Sequence, residues 1–134
     1  MYRRITILAL VATSLLLAAA PALARKPLRS ASSIDLVLLG SSAGLPHYGQ
    51  QVTFSVSTSA TDRPYVLLNC YQNGVWLYAA QAGFYPAYPF SRVFTLASTA
   101  WTGGAADCTA TLGVNNSDGT RFTKLASTSF HVYA

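Results

Sequence analysis

The chain has 134 residues, nine of them Lys or Arg and four Asp or Glu, for a formal charge of +5. Five of the nine cations (Arg3, Arg4, Arg25, Lys26 and Arg29) fall within the first 29 positions, so the rest of the chain has no clustered basic face for nucleic acid. The acids are four Asp and no Glu, which leaves little material for paired-carboxylate chemistry.

Arg3 and Arg4 precede an apolar run over residues 5–20, followed by Pro21 and Ala22-Leu23-Ala24. A positive start, an apolar middle and a small-x-small end form the layout of a secretory signal peptide, here residues 1–24. The alternative is an uncleaved anchor. As a helix, residues 5–20 would reach about 24 Å, against about 30 Å of hydrocarbon, and the Ala-x-Ala end favours processing. No cysteine follows the cleavage site to take a lipid, and Tyr2 before the arginine pair does not fit a twin-arginine signal. The expected location is secreted, extracellular or periplasmic, with a leader of bacterial type. Membrane contact is then limited to the transient leader. In such an oxidising compartment the only two cysteines, Cys70 and Cys108, are expected to pair.

Cleavage leaves 110 residues with a charge of +3, one domain's worth and the size of a seven-stranded sandwich. Residues 25–33 (RKPLRSASS) are basic, polar and without apolar periodicity. They read as a flexible lead-in, or as a short, salt-sensitive tether to an anionic surface.

From Ile34 the period is two. Residues 34–39 predict a first strand, ended by the glycines at 40 and 44. Val52, Phe54 and Val56 alternate with Thr53, Ser55 and Ser57, the pattern of a half-buried strand. After a turn over residues 59–64, residues 65–71 put Val66, Leu68 and Cys70 on one face. Asn73-Gly74 suits a tight hairpin, with residues 75–80 returning antiparallel. Pro86 and Pro89 make residues 83–89 irregular, because neither can donate to a ladder. Residues 92–96 resume a strand with Phe94 and Leu96 together, and residues 102–105 turn. Residues 107–114 set Cys108, Ala110, Leu112 and Val114 opposite Asp107, Thr109 and Thr111. A tip over residues 115–119 leads into a last strand, residues 124–133, with Ala126, Phe130 and Val132 inward. Seven short strands with Gly, Pro and Asn turns and no mature helix predict an all-β sandwich or small barrel, the sandwich being preferred.

Gly49-Gln50-Gln51-Val52-Thr53-Phe54-Ser55-Val56 is similar to the second strand of bacterial Ig-like modules. Ala106-Asp107-Cys108-Thr109-Ala110-Thr111-Leu112 is similar to their cysteine-bearing sixth strand. Residues 34–134 thus resemble an immunoglobulin-like antiparallel sandwich. The resemblance implies that the third and sixth strands are neighbours in one sheet, so that Cys70 and Cys108 face each other at a Cα separation of about 4.5 Å. Closing a loop of about 39 residues should stabilise the fold by about 4 kcal/mol. Antibody-type features are missing: Trp76 follows Cys70 across a hairpin, and Ala106 stands where a tyrosine is expected. No immune-type function carries over. Ig-like modules of exported bacterial proteins commonly serve as adhesion, spacer or binding units.

Ionisable groups are sparse: Asp35, Asp62, Asp107, Asp118, His47 and His131. Asp62 and Asp118 sit in turns, where Asp bonds its own backbone. Asp107 and His131 alternate outward on strands expected to pair, which allows a surface carboxylate–imidazole contact of small energetic worth. No Gly-x-Ser-x-Gly elbow is present, so a small hydrolase is the most remote reading and the chain is not expected to be an enzyme. Neither zinc nor calcium spacing occurs, and no metal or cofactor is expected. Asn115-Asn116-Ser117 matches a glycosylation acceptor, although turn chemistry already accounts for those residues.

The aromatic residues carry the functional expectation. Residues 84–90 hold Phe84, Tyr85, Tyr88 and Phe90 with two prolines. Trp76 and Tyr78 lie on the hairpin before them and Trp101 after. Stiffened rings with polar tips suit a partner protein or a sugar face. Trp76, Tyr78, Tyr85, Tyr88 and Trp101 are the candidate ligand-binding residues, with Phe84 and Phe90 expected nearer the core. The alternative is that these rings cap the end of the sandwich. Two functions follow: a monomeric interaction module docking a protein through the aromatic loop, or a carbohydrate-binding module using the same rings.

Overall fold

The computed structural model describes residues 31–134. The leader, residues 1–24, and the lead-in up to residue 30 lie outside the described residues. The chain folds into seven strands: β1 (Ser33–Leu39), β2 (Gln51–Ser57), β3 (Tyr65–Gln72), β4 (Val75–Gly83), β5 (Phe94–Thr95), β6 (Ala106–Asn115) and β7 (Phe122–Val132). The strands pair antiparallel throughout, in a three-stranded sheet of order β1-β2-β5 and a four-stranded sheet of order β4-β3-β6-β7.

The alternation in the sequence produces this directly. Val52 and Phe54 on β2, Val66, Leu68 and Cys70 on β3, and Cys108, Ala110 and Leu112 on β6 are all buried between the two sheets. The residues between them point outward, as a period of two requires. Asn73 and Gly74 both take positive φ, +50° and +78°, which is the twist a two-residue hairpin needs.

Cys70 and Cys108 stand directly opposite each other on β3 and β6 with Cα atoms 4.1 Å apart, and they form the disulfide. The bond ties neighbouring strands within one sheet. Both cysteines are buried, so the bridge is also part of the core.

β1, β3 and β6 are longer than expected by one or two residues, and three other elements differ for identifiable reasons. β4 runs on to Gly83 because Phe84 N donates to Pro64 O at 2.8 Å, holding the pair together past residue 80. β5 shrinks to two residues: the Thr53 hydroxyl takes Arg92 O at 2.9 Å, ending the ladder just before Phe94. β7 begins at Phe122, two residues early, where a register shift between Leu112 and Gly113 lets Asn115 pair with Phe122. The same shift takes Val114 out of the inward row that Cys108, Ala110 and Leu112 share, leaving it half-buried.

Candidate functional site

The outer face of the four-stranded sheet carries most of the candidates. Because Val66, Leu68 and Cys70 point inward, Tyr65, Leu67, Asn69 and Tyr71 point outward. Register then fixes two aromatic rows. At one end Trp76, Tyr71, Asp107 and His131 lie side by side across four strands; at the other, Gly83, Tyr65, Gly113 and Lys124 do.

In the first row Trp76 is 58% exposed and its indole N–H donates to Asn69 Oδ1 at 3.1 Å. His131 Nδ1 lies 2.7 Å from Asp107 Oδ1, the cross-strand contact that the alternation allowed. One row along, the hydroxyls of Thr109 and Ser129 share a hydrogen bond of 2.9 Å.

The second row holds the aromatic loop in place. Gly83 has no side chain, and the rings of Tyr85 and Tyr88 occupy that space: a Cβ there would meet Tyr85 Cε1 at 2.6 Å and collide with Tyr88. Gly113, on the other side of Tyr65, is covered in the same way by Phe122. Aromatic cover over a strand glycine replaces the packing that the missing side chain would have provided. Tyr85 to Tyr88 form a turn in which Tyr88 N donates to Tyr85 O at 3.0 Å, and Pro86 takes the position where its fixed φ is favourable. The Arg92 guanidinium donates to Tyr85 O at 2.6 Å. The Tyr65 and Tyr85 hydroxyls are 3.0 Å apart. That hydrogen bond to Tyr85, with desolvation, raises the Tyr65 phenol above its usual 10.0.

Ring geometry discriminates between ligands. Tyr65, Tyr85, Tyr88 and Phe90 meet edge to face, at interplanar angles of 68° to 85°. Such mutual packing makes a rigid ridge of edges, and these four rings do not form a coplanar platform.

The other candidates are distributed differently. Trp101 is 0% exposed, so it is a core residue and not a ligand contact. Its indole N–H donates to Gly104 O at 3.1 Å, and its carbonyl accepts from the Tyr48 hydroxyl at 3.1 Å. With its polar atom satisfied inside its own loop, nothing keeps the ring at the surface. Tyr78 faces inward opposite Cys70 and is half-buried; burial pushes its phenol pKa up. Tyr85 and Tyr88 are half-buried, less open than expected. Phe84 packs against the core as expected, but Phe90 does not: it is 72% exposed, with its ring against Tyr88. The Tyr88 ring packs against it there, and Phe54 and Phe94 already fill the core below.

Sequence reasoning missed one grouping. The turn over residues 59–64 and the tip over residues 115–119 were read as separate turns. Pairing Cys70 with Cys108 also pairs Tyr65 with Gly113, which brings those two turns together at one end of the sheet. The facing cysteines were the signal that could have located it.

Comparison with protein-family models, with curated proteins and with solved structures finds no match to this chain. Its function therefore rests on its own geometry.

Proposed function

We propose that the protein is an exported, non-enzymatic, immunoglobulin-like interaction module that docks a protein partner along β4 and the rings beside it. The strand order, three strands against four with β3 beside β6, supports the Ig-like assignment. The disulfide is consistent with an extracellular or periplasmic location.

One observation carries the docking function: β4 is a nine-residue edge strand with no charged residue and no proline. Edges are ordinarily guarded, because their open N–H and C=O groups template another strand. The other edges here are guarded. β7 carries Lys124 and His131, and beyond it Tyr133 bridges to His47; β1 carries Asp35; β5 is two residues long. β4 itself begins with Val75, 61% exposed, and Trp76, and Phe90 lies against Tyr88, which covers Gly83 at its other end. The Leu77 carbonyl of β4 already accepts from the Ser98 hydroxyl at 2.6 Å, so an extended segment of a partner would add through its backbone to β4 beyond Leu77, with these side chains as anchors. The edge-to-face packing of the loop favours this over a flat sugar platform on the same rings. A hydrolase would have to be built on Asp107 and His131, and the neighbouring Ser129 hydroxyl is engaged with Thr109.

Photo-cross-linking from Ala79, an exposed β4 position, tests the docking function. The expected result is one dominant protein adduct in the native host, reduced at least about tenfold in the Trp76→Ser, Phe90→Ser double variant. No adduct, or adducts indifferent to the double variant, overturns it.

A further inference from the structure

The β2–β3 turn and the β6–β7 tip flank a half-open pocket of about 360 Å³. Asp62 and Arg63 come from the turn, Asn115, Asn116 and Ser117 from the tip, and Tyr65 from the first position of β3. The volume lies at the low end of the range for small-molecule sites, roughly 300–1,000 Å³.

Both walls are built before any ligand arrives. Arg63 N donates to the Thr61 hydroxyl at 3.1 Å. Across the cavity, Asn116 accepts from Arg121 N at 2.9 Å and donates to the Thr120 hydroxyl at 3.1 Å. Asp118 accepts from Thr120 N at 3.0 Å and from its hydroxyl at 2.6 Å, and these bonds pull its carboxyl below the usual 3.8. Tyr65 is fixed by its bond to Tyr85.

The lining side chains differ from those scaffold residues. Among the described residues, the side chains of Asp62, Arg63, Asn115 and Ser117 make no hydrogen bond within the protein; Asp62, Arg63 and Ser117 are exposed, Asn115 is half-buried, and the Arg63 guanidinium lies 6.0 Å from the Tyr85 ring centroid. They offer a carboxylate, a guanidinium, an amide and a hydroxyl around one space, next to a tyrosine ring. Opposite charges on adjacent residues cancel most of the field that an ionic ligand would need. A ligand with closely spaced hydroxyls satisfies all four groups: it donates to the carboxylate and accepts from the guanidinium and amide.

We propose that this cavity is a binding subsite for a neutral mono- or disaccharide. The site lies at the end of the sheet, apart from the docking edge, and does not depend on the docking function.

Titration of the ¹⁵N-labelled protein through the millimolar range with glucose, galactose, N-acetylglucosamine, cellobiose, lactose and chitobiose tests it. The expected result is saturable amide shifts at residues 61–65 and 114–117 for at least one of these sugars. Asp62→Ala and Asn115→Ala should each weaken that binding about tenfold or more, while the Trp76→Ser, Phe90→Ser double variant binds as the parent does. An unchanged spectrum outside the cavity confirms that each variant is folded. The proposal is overturned by no saturable shift with any of the six sugars, or by shifts confined to the surroundings of Trp76. It is equally overturned if inorganic phosphate or glutamine saturates the same amides as readily as the best sugar. Cross-linking at β4 is unaffected by either result, so the two sites fail or stand separately.

Discussion

Two loops of this domain are rich in aromatic or glycine residues, and they send their rings in opposite directions. Residues 84–90 keep Tyr85, Tyr88 and Phe90 at or near the surface, while residues 97–105 bury Trp101 completely. The difference lies in where each ring's polar atom finds its partner. Trp101 N donates to no strand carbonyl. It donates to the Ser98 hydroxyl at 3.0 Å, and the indole N–H reaches Gly104 O, so the loop closes on itself and carries the ring inward. Tyr85 and Tyr65 instead satisfy each other on the outer face, above a glycine that leaves room for them. Ring size does not decide burial in this chain. The local supply of acceptors and space does.

The contrast predicts a graded set of effects. Trp101→Ala removes a fully buried ring and should cost about 4–5 kcal/mol, read by urea unfolding. A loss under 1 kcal/mol would mean that the ring is not a core element. Replacing both Cys70 and Cys108 by Ala should cost about 4 kcal/mol, since both loops lie inside the segment that the bridge closes. Melting in the presence and absence of reductant gives the same comparison without substitution. Gly83→Ala places a methyl group where the Tyr85 and Tyr88 rings sit. It should cost about 1–2 kcal/mol and shift the ring resonances of both tyrosines while leaving Trp101 fluorescence unchanged. A change at Trp101 would show that the two loops are coupled.

The smallest expected effect is that of Tyr85→Phe, about 0.5–1 kcal/mol. Its pH dependence is more informative than its size. The folded state raises the Tyr65 pKa above 10.0, chiefly through the hydrogen bond with Tyr85, so it favours the neutral phenol. The associated stability is therefore fully present below pH 10 and is lost as pH rises through the folded value. The gap between parent and Tyr85→Phe should be constant at neutral pH and close in alkali. A gap that widens with pH would assign the stabilising bond to another pair.

The pairing of β3 with β6 is what the resemblance to Ig-like sandwiches implies, and Cys70 and Cys108 stand opposite each other in that register. The inward rows of β2, β3 and β6 were legible from alternation, except at Val114, which the register shift after Leu112 takes out of the β6 row. The candidate site was legible only in part. Trp76 was placed correctly on the exposed hairpin beside Asn73-Gly74, although only the register shift between Cys70 and Tyr71 turns it out of the inward row of Tyr78 and Ala80. Trp101 and Phe90 were misassigned, because a ring in a loop has no periodicity to declare its direction. The cavity at residues 61–65 and 114–117 was not visible at all. Each half looks like an ordinary turn, and only strand register sets them against each other.

What the amino-acid order settled was the class of fold, the number of strands, their inward faces and the covalent link. Those depend on local periodicity and on the small menu of turn conformations. What waited for the tertiary structure was which loop rings are buried, which edge is open and which turns share a space. These are long-range outcomes. They are fixed by competition for volume and hydrogen-bond partners among residues far apart in the chain, and no local pattern encodes that competition.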